Sequence, residues 1–374
     1  MIHGGMGYVE HPYGTELSEA VMEWQKINGE RYAFVLVAEG DKAAIPALQQ
    51  VFSRQGIPMC GAMFPGLIVD GQVVYKGVLL IALPEDTVAY LSRPLDEQEA
   101  VADFLRWLDR QRIRQRTLFL IFDALLPNIA TELELIYAEL GMRYLYAGVN
   151  AGSNKLRQEP CLFNNTLFES GRMLAVMLHG STGGMLEHGY PEPEDACIAT
   201  SSDGNLIRTL DWRPAFSGYR DLVYKNYQVT ISKKNFYKYS VHFPFGIVRA
   251  NGELLVRIPS DFNNEGGIFC IGEVPPNSIL KVLDGPADIL FQGVRRLADR
   301  LCAQVRAESL LFYCVGRGMH LGIDGLQREL DLLNSAAGPC FGALSLGEIG
   351  TTGYDQYPLF HNAAVEAVQF SDES

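Results

Sequence analysis

The chain has 374 residues, of which 48% are hydrophobic and 20% are charged, and its formal net charge is −13. This length exceeds what one hydrophobic core usually fills, so we expect two globular domains, and the composition excludes a disordered chain. The negative charge disfavours nucleic acid as a partner, because phosphate backbones would be repelled. No apolar run reaches the ~18 residues that a membrane-spanning helix needs.

The predicted elements begin with an amphipathic helix over residues 17–27 and then follow one pattern that occurs three times. Each copy has an apolar strand, an amphipathic helix that ends at a glycine, a glycine-spaced loop and a second apolar strand. The strands of the three copies are predicted at residues 32–37 and 73–83, 118–122 and 167–178, and 310–315 and 360–370. The apolar helix positions are Ile45, Leu48, Val51 and Phe52, then Ile129, Leu133, Ile136 and Leu140, then Ile323, Leu326, Leu330 and Leu333. The repetition predicts that Gly61, Gly148 and Gly342 are equivalent positions at which a backbone or a ligand approaches closely.

The segment between the second and third copies has a different character. Residues 179–194 are rich in Gly and Pro and lack periodicity, which indicates a domain junction. Further strands are predicted at residues 196–200, 206–211, 245–258 and 267–271, with helices after Pro214 and Pro286. We therefore expect an α/β protein with two α/β domains, residues 1–185 and 186–374, in which repeated strand–helix–strand units form mixed sheets covered by helices.

Motif searches favour binding over catalysis. The sequence has no G-x-S-x-G, P-loop or H-E-x-x-H motif, so we expect no enzymatic activity and no metal site. Residues 316–322 follow a predicted strand as a dinucleotide-binding turn does, but their glycine spacing differs from G-x-G-x-x-G. The arginines of residues 106–116 are expected on a solvated helix face. Seven scattered cysteines without a C-x-x-C pair, and no secretory signal, predict free, mostly buried thiols in the cytoplasm.

A candidate ligand site is predicted where the first strand of the third copy ends. Cys314 and Arg317 leave the sheet there, and Glu348 and His361 bracket the loop of the same copy. If the strand end and the loop meet, Arg317 comes to face Glu348 beside His361. An arginine that faces a glutamate could hold a zwitterionic ligand, or the two side chains could simply form a salt bridge with each other. His188 is added because small-molecule pockets concentrate at domain junctions.

At these residues the sequence resembles the FIST (F-box and intracellular signal transduction) family along nearly the whole chain. The C-terminal half is similar in Cys314-x-x-Arg317, Phe341-Gly342-Ala343, Gly347-Glu348 and His361-Asn362. The N-terminal half is similar to the family in Cys60-Gly61, Gly66 and residues 147–152. The junction is similar in His188-Gly189-Tyr190. Tyr190 stands where the family usually has a tryptophan, and Asn150 and Ser153 replace smaller or acidic residues.

The resemblance implies a sensory protein that needs no cofactor, binds an amino-acid-like metabolite between its two halves and signals to a protein such as a histidine kinase or a cyclase. The expected ligand contacts are Arg317, Glu348, His188, Asn150, Gly148, His361 and Cys314. Part of the family binds haem and senses nitric oxide through a histidine. A haem sensor with His188 or His361 as the iron ligand is therefore the alternative.

Overall fold

A computed structural model describes residues 2–3, 5–97, 99–111, 116–303, 308–352 and 357–370. These residues form eight α-helices: α1 (Gly14–Asn28), α2 (Ile45–Arg54), α3 (Ala100–Gln111), α4 (Ile129–Leu140), α5 (Ala215–Tyr227), α6 (Phe236–Ser240), α7 (Ala287–Cys302) and α8 (Val315–Ala337). None of the helices in this part of the chain is long and apolar enough to cross a membrane.

The strands are short and numerous. In the first half of the chain they are β1 (Ile2–His3), β2 (Met6–Val9), β3 (Tyr32–Ala38), β4 (Met59–Phe64), β5 (Gly66–Val69), β6 (Gln72–Val74), β7 (Val78–Leu83), β8 (Ala89–Leu91), β9 (Thr117–Asp123), β10 (Leu145–Ala151), β11 (Leu162–Asn164), β12 (Phe168–Glu169), β13 (Met173–Leu178) and β14 (Met185–Glu187). Further along they are β15 (Cys197–Ile198), β16 (Ser201–Asp203), β17 (Leu206–Leu210), β18 (Arg213–Pro214), β19 (Phe245–Val248), β20 (Leu254–Arg257), β21 (Pro259–Phe262), β22 (Ile268–Cys270), β23 (Ile279–Val282), β24 (Ser309–Cys314), β25 (Cys340–Ser345), β26 (Glu348–Gly350), β27 (Leu359–His361) and β28 (Val365–Gln369).

Three strand–helix–strand units form the centre of the fold. In each unit a helix connects two parallel strands: α2 connects β3 and β4, α4 connects β9 and β10, and α8 connects β24 and β25. A later strand of the same unit, β7, β13 or β28, pairs antiparallel with the first. Parallel neighbours need such a crossover, and the amphipathic helix supplies it while covering the sheet. The predicted α/β fold class with mixed sheets is confirmed.

The three units exchange strands in a closed ring. β11 of the second unit pairs with β4 of the first, β26 of the third pairs with β10 of the second, and β5 of the first pairs with β25 of the third. All three pairings are antiparallel. Two of the sheets therefore combine strands from before and after residue 185, and the division into domains 1–185 and 186–374 stays a prediction.

Gly61, Gly148 and Gly342 occupy equivalent places in this ring. Each lies in the second strand of its unit, directly opposite a residue of the first strand; these residues are Val35, Leu120 and Leu311. A Cβ atom on any of the three glycines would overlap the carbonyl oxygen of the opposite residue. Close backbone approach thus requires glycine at all three, and their predicted equivalence is confirmed.

Side chains from all three units share one core. Phe34, Phe119 and Phe312 are fully buried, and the ring of Phe119 lies 6.0 Å from that of Phe34 and 5.4 Å from that of Phe312. A second core lies under α5 and the small sheets between residues 197 and 282. There the buried Tyr219 donates its hydroxyl to the carbonyl of Phe243 at 2.8 Å.

Each long second strand of the sequence pattern is divided in the structure. Residues 73–83, 167–178 and 360–370 were each expected to form one strand, and each forms parts of two. A residue with positive φ turns the chain within each run, namely Gly77, Gly171 and Ala363. The junction segment 179–194 also differs from the expectation, because it contains β14, which pairs with β28.

α8 begins at Val315, directly after β24, so residues 316–321 are helical and do not form a dinucleotide-binding turn. The helix kinks at Gly322, where φ is 72°. Next to this kink Ile323 is 85% exposed, whereas Leu330 and Leu333 of the same predicted stripe are buried. The kink shifts the helical phase, which explains why only the later part of the stripe faces the sheet.

The cysteines and arginines follow the sequence expectations with one exception. All seven cysteines are free, and all but Cys302 are buried. Arg106 and Arg110 are exposed on α3. Arg112 and Arg114 lie outside the described residues. Arg116 differs, because it is buried and forms an ion pair with Asp86.

Candidate functional site

Several strand ends meet at the candidate site. Cys314 ends β24 and lies opposite Ser345, which ends β25. Glu348 begins β26, between β10 and β27, opposite Val149 and His361. The carboxyl ends of parallel strands are where α/β proteins hold ligands, because side chains and helix N-termini become accessible there. The strand end and the loop of the third copy therefore meet as predicted.

A small pocket opens beside Cys314. Its volume is about 40 Å³, whereas pockets for drug-sized ligands measure ~300–1,000 Å³. The lining residues are Asn154, Leu156, Ser240, Val241, Ile258, Pro259, Ser260, Ile271, Cys314, Val315, Gly316, Met319, Leu346 and Asn362. None of these described residues carries a charge. In this conformation the pocket has room only for water or a ligand of a few heavy atoms.

Cys314, which lines this pocket, and Glu348 are both buried ionisable side chains. The Cys314 Sγ accepts a hydrogen bond from the Ala363 amide at 3.1 Å, and burial raises the pKa of the thiol. Burial also raises the pKa of the Glu348 carboxyl, while hydrogen bonds from the Ser345 hydroxyl at 2.6 Å and the Ala364 amide at 3.3 Å oppose that rise. A thiol with a raised pKa is a weak nucleophile at neutral pH.

Protein groups occupy the whole guanidinium of Arg317. Nε and Nη2 donate to the two carboxylate oxygens of Glu329 at 2.7 and 2.8 Å. Nη1 donates to the carbonyls of His188 and Ala363 at 2.6 and 3.2 Å, and Nη2 also donates to the carbonyl of Leu290 at 3.1 Å. A guanidinium has five N–H groups. None of the five is therefore left for a ligand in this conformation.

The carboxylate that faces Arg317 is Glu329, whereas the sequence led us to expect Glu348. Glu348 is engaged by Ser345 and Ala364. Glu329 also accepts a hydrogen bond from the Tyr313 hydroxyl at 2.6 Å, which ties β24 to the later part of α8. Sequence reasoning missed Glu329, because several acids lie within reach of this strand end along the chain. The ligand contact of Arg317 stays a prediction.

Asn150 and His361 are buried polar side chains without partners. Oδ1 and Nδ2 of Asn150 and both ring nitrogens of His361 make no hydrogen bond with any described residue. Both residues are 0% exposed, and leaving a buried polar group unpaired costs ~1–3 kcal/mol. Burial lowers the pKa of His361 well below its usual value, so the ring is neutral and offers one donor and one acceptor.

These unpaired side chains flank Gly347 behind the pocket wall. The backbone amide of Asn150 donates to the Gly347 carbonyl at 2.8 Å. A Cβ atom on Gly347 would lie 2.9 Å from Asn150 Nδ2 and 3.2 Å from the His361 carbonyl oxygen. Leu346 and Asn362, the chain neighbours of Gly347 and His361, line the pocket. Movement of the loop at residues 346–347 would connect the pocket to the unpaired atoms.

His188 lies against His361. The two rings stack with centroids 5.7 Å apart and planes 19° from parallel. His188 Nδ1 accepts a hydrogen bond from the Tyr190 amide at 3.1 Å. Burial, followed by the charge of Arg317, lowers the pKa of His188 to about 4. Both stacked imidazoles are therefore neutral at pH 7. Because Nδ1 of His188 accepts, its Nε2 carries the proton and can only donate, whereas His361 offers one donor and one acceptor.

Comparison with family models covers most of the chain. Residues 33–213 match the FIST N domain and residues 215–351 match the FIST C domain. The chain belongs to the FIST family. FIST domains are associated with sensing in signal transduction. A search among curated proteins finds no match.

Gly148 of this FIST protein contacts a buried acid that sequence reasoning missed. The Gly148 amide donates to Glu366 Oε1 at 3.0 Å, and Glu366 Oε2 has no partner among the described residues. Burial raises the pKa of Glu366 well above its usual value and so favours the protonated carboxyl. A single acid within the apolar strand β28 is a sequence signal that could have identified it.

Two further histidines of the FIST protein connect the pocket walls. The Nδ1 atoms of His242 and His320 lie 2.9 Å apart, and His320 Nε2 lies 2.7 Å from the Gly285 carbonyl oxygen. A carbonyl only accepts, so Nε2 carries the proton of neutral His320, and His242 must donate through Nδ1. Val241 and Met319, their chain neighbours, both line the pocket. This hydrogen bond therefore holds two parts of the pocket wall together.

In this conformation the residues of the FIST site do not fit haem. An axial histidine needs a ring nitrogen that points into a space large enough for the macrocycle. His188 and His361 instead cover each other's faces, and neither lines the 40 Å³ pocket. Among the residues that the structure describes, no group of three or more His, Cys, Asp or Glu side chains is arranged to hold a metal ion either.

Proposed function

We propose that this FIST protein is a non-enzymatic sensor that binds a small polar metabolite at the pocket beside Cys314 and signals to a partner protein. The observation that carries the proposal is the set of four unpaired polar atoms on Asn150 and His361 behind the pocket wall. A ligand that pairs with them removes a cost of ~1–3 kcal/mol for each group. In folded proteins, buried polar groups without hydrogen-bond partners are rare and often lie at functional sites.

The ligand that suits this site is small and carries no net charge, as an amino-acid-like metabolite does. The pocket lining is uncharged, and an ion without a partner would lose hydration at a high cost. The carboxylate of a zwitterion would lie at the N-terminal end of α8, where Val315 and Gly316 line the pocket. If the ligand moved past the pocket wall, its ammonium group would pair with Glu348, which would release its proton to the solvent.

Ligand binding would be coupled to a change in shape. The ligand reaches Asn150 and His361 only if the loop at Gly347 moves, and this loop connects β25 to β26. β26 pairs with β10 of the second unit, so movement in the third unit is transmitted to the second. This coupling is how the proposed sensor would report to a partner such as a histidine kinase or a cyclase. The raised pKa of Cys314, which weakens it as a nucleophile, agrees with a role without catalysis.

A screen of amino acids and small amides at millimolar concentration tests the proposal. We expect at least one compound to raise the Tm, following RT ln(1 + [L]/Kd). Asn150→Ala should weaken its binding by ~10-fold or more because a buried hydrogen bond is lost. Asn251→Ala, on an exposed turn, is the control and should bind as the native protein does. Folded native protein that shifts with no compound would contradict the proposal.

A haem-binding nitric-oxide sensor is the second candidate, because the ring nitrogens of His361 have no hydrogen-bond partner in the described part of the chain. It requires a conformation in which His188 and His361 separate. The absorbance spectrum of freshly purified protein distinguishes the two candidates. A Soret band that survives washing, disappears in His188→Ala or His361→Ala and persists in His242→Ala would replace the polar-ligand proposal.

A further inference from the structure

A groove of about 590 Å³ lies between α3 and α4. Its floor is apolar and includes Leu95, Val101, Leu105 and Leu135. Leu135 is 51% exposed, so the floor is only partly covered by the protein itself. Each of the two helices has 12 residues, which corresponds to about 18 Å at a rise of ~1.5 Å per residue. The lining covers residues 100–105 of α3 and residues 132–139 of α4, so the groove is long enough for about two turns of another helix.

All charged residues that line the groove are acidic. They are Asp96, Glu97, Glu99, Glu132 and Glu139. Glu97 and Glu99 have cations nearby, since Arg93 lies 3.7 Å from Glu97 and Arg106 lies 3.3 Å from Glu99. Asp96, Glu132 and Glu139 form no ion pair with any described residue. An apolar floor with an acidic border is complementary to a segment that has apolar and basic faces.

Glu132 is the most buried of these acids. It is 8% exposed, and its Oε1 accepts a hydrogen bond from Asn128 Nδ2 at 2.6 Å. Burial raises the pKa of Glu132, and the nearby Glu273 carboxylate raises it further. Glutamate is almost never buried without a cationic partner. A lysine or arginine from outside the chain would supply that partner and favour the charged carboxylate.

We propose that the groove between α3 and α4 docks a basic amphipathic helix of a partner protein. Its apolar face would pack on Leu135 and the neighbouring aliphatic side chains, and its Lys or Arg side chains would pair with Glu132, Glu139 and Asp96. The groove gives the proposed sensor a surface for its partner. It does not depend on the pocket beside Cys314, which is lined by different residues.

The test uses the full chain and a fluorescein-labelled peptide of about 14 residues, with Leu and Lys at helical spacing. Fluorescence anisotropy measures its binding beside that of a scrambled peptide of the same composition. We expect the amphipathic peptide to bind at least ~10-fold more tightly than the scrambled one, and more weakly as salt rises. Glu139→Lys should weaken binding by ~10-fold or more, since it reverses a charge of the groove.

Glu134→Lys is the matched control, because Glu134 is exposed on the same helix and does not line the groove. It changes the net charge equally and should alter binding by less than ~2-fold. Leu135→Asp separates the two contributions. It adds negative charge yet should weaken binding, because the apolar contact is lost.

Several outcomes would overturn the proposal. They are equal binding of the scrambled peptide, an equal loss in Glu134→Lys, or no binding of the amphipathic peptide at ~100 μM. Light scattering tests a second copy as the occupant, and a native dimer that Glu139→Lys dissociates would show that the groove joins two copies. Asn150→Ala should bind the peptide normally, so failure of the ligand proposal and failure of this one are distinguishable.

Discussion

Two clusters of buried polar side chains adjoin the end of β24, and they differ in how their polar atoms are paired. In the first, all five N–H groups of Arg317 donate to Glu329 or to backbone carbonyls. In the second, four polar atoms of Asn150 and His361 have no partner among the described residues. A fully paired buried cluster specifies the fold, whereas unpaired groups lower stability and persist where binding needs them. Pairing thus separates structural from functional residues better than residue type does.

The largest effect is expected from breaking the paired cluster. Arg317→Ala should lower the free energy of unfolding by ~3–5 kcal/mol, because it leaves the Glu329 carboxylate and three carbonyls without their donor. Urea unfolding followed by circular dichroism measures the loss. Replacing both partners, Arg317→Met with Glu329→Leu, should restore part of it. If the urea midpoint of Arg317→Ala equals that of the native protein, the cluster does not have the structural role that we assign to it.

Glu366 has one carboxyl oxygen with a hydrogen-bond partner and one without a partner among the described residues. Its effect on the free energy of unfolding should be intermediate and should depend on pH. Burial raises its pKa in the folded state, so the folded protein holds a proton that the unfolded chain releases above pH ~4.3. Stability should therefore fall as pH rises from that value towards the folded-state pKa, by up to ~1.4 kcal/mol per pH unit.

Glu366→Gln keeps the acceptor for Gly148 and cannot ionise, so it should remove this slope. The free energy of unfolding, measured between about pH 5 and pH 8, gives the slope for each variant. Glu134→Gln, at an exposed position, should retain the native slope. Identical slopes in Glu366→Gln and Glu134→Gln would show that Glu366 does not bind the extra proton.

The smallest effect on folding should come from the unpaired cluster. Asn150→Ala should change the free energy of unfolding by less than ~1 kcal/mol or increase it, because it removes two unsatisfied buried atoms. Asn165 is the paired comparison, since its amide accepts from the Met59 amide at 2.7 Å and donates to the Ile57 carbonyl at 3.0 Å. Asn165→Ala should lower the free energy of unfolding by ~1–3 kcal/mol. Thermal unfolding measures both variants. A larger loss in Asn150→Ala than in Asn165→Ala would reverse the comparison.

The sequence was sufficient to predict the repeated units but not how they combine. Helical periodicity and the spacing of Gly61, Gly148 and Gly342 are local signals, so they can be read from one chain. The exchange of β5, β11 and β26 depends on which sheet edge each strand meets in three dimensions, and short strands carry little register information.

The site was predictable to a similar degree. The meeting of Cys314 with the loop at Glu348 follows from the order of the elements. The choice of Glu329 as the partner of Arg317 does not follow, because it depends on the kink of α8 at Gly322. The unpaired state of Asn150 was also beyond the sequence, since it depends on the absence of partners in three dimensions.

The exchanged strands also govern how a newly synthesised chain can fold. β5 ends at Val69, and its partner β25 begins only at Cys340. Ribosomes add ~5–20 residues per second, so β5 waits on the order of tens of seconds for its partner to be made. Throughout that time the apolar edge at Gly66–Val69 is an open template for pairing with another chain. The nascent chain therefore gains from protection by chaperones until β25 has been made.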